Sequence, residues 1–193
     1  AETALNGIDL PASIVAVDIG TGEIRAAAST PADGFRRATN GRYPPASTFK
    51  IIVAAALLED GLELDTVVSC PRVVNVSGKE FRNAVTLPSS MTFEDAFAQS
   101  CNTAFIQLAA DLGPEAIAQM AHGFGFGAQL DIGIRAADSS FPASTDPVQN
   151  AASAIGQGKV LASPLNLATV AATAASGVFR SPTLIVGANA EAA

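Results

Sequence analysis

The chain has little charge, one histidine, two cysteines and no tryptophan. Only 15% of its 193 residues are charged and 49% are hydrophobic, which excludes a disordered tail, a coiled coil or a charge-driven linker. Basic residues are the scarcer sign, 11 Lys and Arg against 18 Asp and Glu, giving a formal net charge of −7. An acidic chain without a Lys/Arg cluster is poorly suited to gripping a phosphate backbone, so no nucleic-acid partner is expected. Long apolar runs are also missing. The longest charge-free apolar run, Ile51 to Leu58, falls far short of the roughly 20 residues that a bilayer crossing needs. Ala1-Glu2-Thr3 has no signal-peptide character, so any targeting segment or N-terminal anchor is expected to lie outside this chain.

A zinc site draws on about four closely spaced Cys, His or carboxylate ligands, and Cys70, Cys101 and His122 offer no such cluster. Neither metal nor cofactor is expected. Cys70 and Cys101 could close a disulfide in an oxidising compartment; the plainer expectation is two separate, half-buried thiols. His122, with no nucleophile motif beside it, reads as a helix C-terminal residue that faces free carbonyls.

What is present divides into short elements. Residues 13–29 read as a β-hairpin around Asp18-Ile19-Gly20-Thr21-Gly22. Pro31 to Pro45 reads as a loop, followed by a helix from about Ser47 to Asp60 with Gly61 as its stop. Val67 to Val76, broken by Pro71, suggests a short irregular strand pair or an extended excursion. Thr92-Phe93-Glu94-Asp95 opens a short helix by a capping box, and a second helix runs from Thr103 to Leu112. Pro114 begins a third, which ends before Gly123-Phe124-Gly125-Phe126-Gly127. Asp138 to Asn150 reads as a polar loop, and Ser163-Pro164 opens a last helix that ends at Gly177. The class is mixed α/β (α+β) with helix in the majority. A lone hairpin is barely stable in water, so it is expected to belong to a larger sheet.

Lys50 is the sharpest anomaly. It is the only formally charged residue between Tyr43 and Leu58, in a stretch whose apolar character predicts burial. Desolvation disfavours an ammonium and moves its titration toward a range where a neutral amine can accept protons. Ser47, three residues earlier, falls on the same helical face, at a helix start where backbone N–H groups favour a developing anion. Together these amount to a serine, a base and part of an oxyanion hole, without histidine. The plainer reading is a snorkelling lysine beside an N-capping serine. Further on, Ser100-Cys101-Asn102 stands between two helical stretches and could aim a hydroxyl and an amide into one cleft. Ser and Asn are also ordinary helix caps.

In this order the segments resemble the penicillin-binding proteins, the serine D,D-transpeptidases that cross-link peptidoglycan. Tyr43-Pro44-Pro45-Ala46-Ser47-Thr48-Phe49-Lys50 is similar to that family's nucleophile segment, and Ser100-Cys101-Asn102 matches its Ser-x-Asn motif. Ala154-Ile155-Gly156-Gln157-Gly158, followed by Ser163-Pro164-Leu165, is similar to its Gly-Gln-Gly loop and the helix after it. The hairpin with Thr21-Gly22-Glu23-Ile24 resembles its first two strands. The resemblance covers residues 13 to 186.

The resemblance implies a β-lactamase/transpeptidase-like fold: an antiparallel sheet with a large helical subdomain. It implies that Ser47 is the nucleophile, acylated by a D-Ala-D-Ala stem peptide of peptidoglycan or by a β-lactam. Lys50 would take its proton, Ser100 would pass a proton to the leaving group, and Asn102 would bind the substrate amide, with Gly156, Gln157 and Gly158 lining the substrate site. It also implies work at the extracytoplasmic face of the membrane, in periplasm or cell wall. The family's third motif, Lys-Thr-Gly or Lys-Ser-Gly, does not occur: Lys79 precedes Glu80 and Lys159 precedes Val160. Residues 1–193 therefore read as the first two-thirds of one transpeptidase domain, its sheet incomplete, with a second chain supplying the missing strands as one expectation. The rival readings are a serine β-lactamase, since Ser47-Thr48-Phe49-Lys50 also resembles the class D enzymes, and a catalytically silent relative that binds peptidoglycan or a partner.

Overall fold

The computed structural model describes residues 1–186. The chain forms two compact units. The first comprises Ala1–Tyr43, His122–Ser140 and the described residues from Leu161, and the second comprises Pro44–Ala121 and Phe141–Val160.

The first unit is built on the predicted hairpin. Strands β1 (Ala12–Val17) and β2 (Ile24–Thr30) pair antiparallel, Ala12 opposite Thr30 and Val17 opposite Ile24, with an irregularity between Ala16 and Val17. Asp18 makes the turn: its Oδ1 accepts the N–H groups of Gly20 and Thr21, both at 3.0 Å. A parallel bridge joins Glu23 to Thr183. Short helices α1 (Glu2–Leu5) and α2 (Arg37–Asn40) flank the pair. Val15, Val17 and Ile24 pack on buried Leu130, Ile132 and Leu165. Leu165 belongs to the C-terminal helix, which starts as its Ser-Pro signal predicts. Ser163 Oγ accepts the N–H of Asn166 at 3.1 Å, Pro164 takes the first helical position, and left-handed Gly177 closes the helix.

The second unit is mostly helical. A 3₁₀ turn over Ala46–Phe49 runs into helix α3 (Lys50–Glu59). Strands β3 (Val67–Ser69) and β4 (Val73–Val76) do not pair with each other as expected. Each takes a partner beyond the stretch in which the sequence suggested strands: β4 pairs with β5 (Lys79–Arg82), and β3 with β6 (Ser90–Thr92). Ser77 and Gly78 both adopt positive φ, 49° and 88°, the conformation that a two-residue hairpin turn requires. Helix α4 (Phe93–Ala98) opens with Thr92 Oγ1 accepting the Asp95 N–H at 3.2 Å, as the capping box predicts. Helices α5 (Asn102–Leu112) and α6 (Pro114–Gly123) follow, α6 lying in this unit as far as Ala121. Helix α7 (Pro147–Ala154) corrects the expectation of a loop from Asp138 to Asn150. Its cap is Asp146, whose Oδ1 accepts the Val148 N–H at 2.9 Å, with Pro147 at the first helical position. The Ser163–Ser176 stretch of the first unit accordingly carries helix α8 (Pro164–Ser176).

Phe49, Ile52, Val53, Phe93, Phe105 and Ile106 fill the core of the second unit and are all but inaccessible to solvent. Phe93 and Phe105 meet at 5.7 Å between ring centroids, and Phe49 stacks on Phe141 at 5.3 Å. Cys70 and Cys101 are joined in a disulfide, which replaces the expected pair of separate thiols. The bridge ties the segment between β3 and β4 to the residue that caps α5.

Candidate active site

Four segments of the second unit converge on Lys50, and each is fixed there by its local chemistry. The 3₁₀ turn holds Ser47 on the surface one turn ahead of Lys50. Its entry is tight. Ala46 has φ 49°, and its N–H donates to the Gly156 carbonyl at 2.8 Å. Gly156 itself has φ 67°, and a Cβ there would collide with the Ala46 carbonyl and lie 2.7 Å from Phe49 Cβ. Only glycine admits so close an approach beneath the serine.

Lys50 is 1% exposed. Its Nζ donates to Asn102 Oδ1 at 2.7 Å, the Ser100 carbonyl at 2.8 Å and Ser100 Oγ at 2.9 Å, and reaches Ser47 Oγ at 3.4 Å. It also stands 5.3 Å from the centre of the Phe105 ring. Burial pushes its pKa down to about 8. The groups that face it are uncharged: Ser47 from its own turn, Ser100, Asn102 and Phe105 from α5 and the turn before it.

Ser100 reaches this position through a left-handed backbone, φ 57°, which turns both its carbonyl and its hydroxyl toward the amine. A non-glycine residue in that region typically costs on the order of 1–3 kcal/mol, and the hydrogen bonds around it must hold it there. Its Oγ also donates to Ser47 Oγ at 2.9 Å. Asn102 is oriented from both ends of its amide. Nδ2 donates to the Arg82 carbonyl at 3.0 Å, which turns Oδ1 to Lys50.

The arrangement has a chemical consequence. The Ser100 carbonyl and Asn102 Oδ1 can only accept, so a neutral amine directs its two N–H groups to them. Its lone pair is then left for the two hydroxyls. Ser47 Oγ–H can give its proton to nitrogen directly or across Ser100 Oγ.

The predicted residues Ser47, Lys50, Ser100 and Asn102 thus form one hydrogen-bonded cluster. Gly156 supports it from below through its backbone. Gln157 and Gly158 line an adjacent pocket of about 380 Å³, together with Asn102, Arg82, Gln149 and Asp146. His122 lies outside the cluster, exposed in the last turn of α6. Arg82, Asn83 and the Phe105 ring were not anticipated. The sequence signal for Arg82 and Asn83 is the Ser77-Gly78 turn, which folds β5 back toward the start of α5. Among the described residues there is no group of His, Cys, Asp and Glu that could hold a metal ion.

Residues 12–190 match the family model of the penicillin binding protein transpeptidase domain. This chain belongs to that family. It is 33% identical to the peptidoglycan D,D-transpeptidase PbpA of Mycolicibacterium smegmatis over 93% of its own length and 44% of the relative's. It is 31% identical to the stage V sporulation protein D of Bacillus subtilis over 72% of its length and 23% of the relative's. The chain thus spans less than half the length of the curated relatives it matches. Among solved structures, penicillin-binding protein A from M. tuberculosis as a ceftriaxone acyl-enzyme superposes with a TM-score of 0.83, at 28% identity over 89% of this chain and 46% of that one. The D,D-transpeptidase domain of a peptidoglycan glycosyltransferase from Eggerthella lenta gives 0.87, at 28% identity over 95% of this chain and 53% of that one. The penicillin-binding-protein fold expected from the four motifs is the fold observed, with helices in the majority and small, open antiparallel sheets.

Proposed function

We propose that this chain carries the acylation site of a peptidoglycan D,D-transpeptidase, with Ser47 as its nucleophile. Ser47 Oγ attacks the carbonyl carbon of the penultimate D-Ala of a stem peptide, and its proton passes to Lys50 Nζ. The C–N bond to the terminal D-Ala breaks, and Ser100 hands that proton to the departing amine. An amine of a neighbouring stem peptide then attacks the ester carbonyl, the Oγ–C bond breaks, and the amine's proton returns through Lys50 to Ser47 Oγ. With a β-lactam the same bond breaks inside a ring, so the amine stays attached and the adduct persists. Asn102 and the pocket beside it, walled by Gln157 and Gly158, receive the peptide arm. Gly156 holds the nucleophile segment in place through its backbone.

One observation carries this reading: a buried amine, whose pKa desolvation lowers to about 8, is hydrogen-bonded to the hydroxyl that is itself bonded to Ser47. The β-lactam acyl-enzymes known for a structural neighbour support it. The Cys70–Cys101 disulfide fits an oxidising compartment and supports work on the extracytoplasmic side of the membrane. No helix among the described residues is long and apolar enough to cross a membrane. Protein partners are part of the proposal; one structural neighbour, 28% identical, belongs to a peptidoglycan synthase complex that coordinates polymerization and crosslinking.

Intact mass after incubation with penicillin G tests the reading. The expected product is one adduct carrying the full mass of the drug, absent in Ser47→Ala. An adduct that survives this substitution excludes Ser47, and rapid release of hydrolysed drug would make the protein a β-lactamase.

A further inference from the structure

Helix α5 has an unusual beginning. The residue at its N-cap, Cys101, offers only a sulfur, which accepts the Ala104 N–H at 3.3 Å and is bonded to Cys70. Sulfur is a weak acceptor, and the first turn of a helix leaves several N–H groups in need of a partner. The oxygen that this cap lacks comes from another segment. Asn83 Oδ1 accepts the Thr103 N–H at 3.1 Å. Its Nδ2 donates to the Pro71 carbonyl at 3.1 Å and to Thr103 Oγ1 at 3.2 Å, while Thr103 Oγ1 donates to the same carbonyl at 2.7 Å. The neighbouring Arg82 carbonyl holds the Asn102 amide. Two consecutive residues at the end of β5 therefore fasten the first two residues of α5, one by side chain and one by backbone.

We propose that Asn83 is a positioning residue for the acylation site: by holding the Thr103 N–H in the first turn of α5, it sets where Ser100 and Asn102 stand against Lys50. This rests on the reading of Ser47 and Lys50 given above. Asn83 acts through Thr103 and through the place it gives Arg82. Without it, the Thr103 N–H and the Pro71 carbonyl lose a partner, and the first turn of α5 loosens. Asn102 then loses its fixed amide orientation, and water reaches Lys50. The left-handed Ser100, which depends on its surroundings to hold its conformation, moves with it. The amine, faced only by Ser47, Ser100, Asn102 and the Phe105 ring, then titrates closer to the ordinary lysine value of 10.5.

The test reads Lys50 directly. The chain has three lysines, Lys50, Lys79 and Lys159, so ¹³Cε-lysine labelling gives a simple spectrum in which Lys50→Arg assigns the Lys50 resonance. The midpoint of that resonance is followed against pH in wild type, Asn83→Ala and Thr103→Val, together with the rate of acylation by penicillin G and the thermal unfolding of each. Thr103→Val removes the hydroxyl, and with it one bond from Asn83 Nδ2, but keeps the Thr103 N–H bond to Asn83 Oδ1 on which the proposal rests. The expected result is a raised Lys50 midpoint and acylation slower by about 10- to 100-fold in Asn83→Ala, as misplacement near a reacting centre costs. Thr103→Val is expected to unfold at lower temperature with the midpoint unmoved. A folded Asn83→Ala whose midpoint and rate both lie within twofold of wild type overturns the proposal. If the alanine variant does not fold, Asn83→Ser, which keeps a shorter donor and acceptor, takes its place under the same criteria. Should wild type form no adduct while the midpoint still moves in Asn83→Ala, the transpeptidase reading fails and the positioning of Lys50 by Asn83 stands.

Discussion

Ser47 Oγ and Ser100 Oγ are hydrogen-bonded at 2.9 Å, a shorter contact than the 3.4 Å between Ser47 Oγ and Lys50 Nζ. Because Ser100 Oγ is also 2.9 Å from Nζ, the better-connected route from Ser47 Oγ to Lys50 Nζ runs over the second serine. On the proposed reading Ser100 serves both halves of acylation, taking a proton from Ser47 and giving one to the leaving amine. Ser100→Ala is expected to retain the adduct at Ser47 but form it about 10²–10⁴-fold more slowly, the usual worth of a positioned proton-transfer group. The measurement is the second-order rate of penicillin acylation; a rate unchanged in Ser100→Ala removes the relay.

On the proposed reading, Lys50 gives acylation its pH dependence. Its folded pKa is depressed to about 8, so acylation should be slow where the amine is charged, rise through about pH 8 and level off above. Lys50→Arg keeps a cation that cannot give up its proton, so it should be nearly inactive across pH 6–10. Equal rates in Lys50→Arg and wild type would leave Lys50 a structural cation only.

The same burial predicts a stability trend of known sign. The unfolded lysine titrates near 10.5 and the folded one near 8, so between these values the unfolded chain binds more protons. Lys50 therefore opposes folding while it must be carried as an ammonium, and stability should rise with pH across that window. Denaturant unfolding from pH 7 to 10.5 in wild type and Lys50→Met checks this. The rise should flatten in the variant, and a parallel rise in both proteins would assign it to other groups.

Gly156→Ala places a methyl group against the Ala46 carbonyl and Phe49 at a residue with φ 67°. We expect a loss of about 1–3 kcal/mol in stability from the left-handed backbone alone. Acylation should fall as well, because the methyl group displaces the 3₁₀ turn that bears Ser47. Thermal unfolding and the penicillin rate report the two effects separately, and neither changing would mean that the turn accommodates the methyl group.

The disulfide spans 31 residues, a separation for which cross-linking contributes about 2–4 kcal/mol of stability. Reduction should lower the unfolding temperature. It should also slow acylation, since Cys101 lies between Ser100 and Asn102. The comparison is unfolding and acylation with and without reductant, and full activity in a protein shown to be reduced contradicts it.

Much of this was legible because the relevant signals are local. The hairpin carries its turn at Asp18–Gly22, α4 its capping threonine, and α8 its Ser-Pro start and glycine stop. Ser47 and Lys50 are three residues apart, so helical geometry alone puts them side by side. Helix α7 was hidden because its buried residues are three alanines and a serine, leaving little apolar periodicity; Asp146-Pro147 was its readable start. The β4–β5 hairpin was missed because Lys79-Glu80-Phe81-Arg82 has one apolar residue among three charges. Asn83 could not have been found without that hairpin, since its partners Thr103 and Pro71 are 20 and 12 residues away in sequence. The disulfide goes with the pairing of β3 and β6, which sequence spacing does not reveal.

That only neutral groups face Lys50 bears on the medium in which the protein works. Mobile ions screen charge acting on charge across solvent, and exposed pairs such as Glu80 with Arg82 weaken as salt rises. The protonation of Lys50 is set instead by its distance from water and by the fixed dipoles of an amide, a carbonyl and two hydroxyls, which salt leaves almost untouched. In an acidic chain of net charge −7, Lys50 is the one buried cation among the described residues, and burial, not a neighbouring charge, shifts it. The pH at which this amine loses its proton should therefore change little with ionic strength.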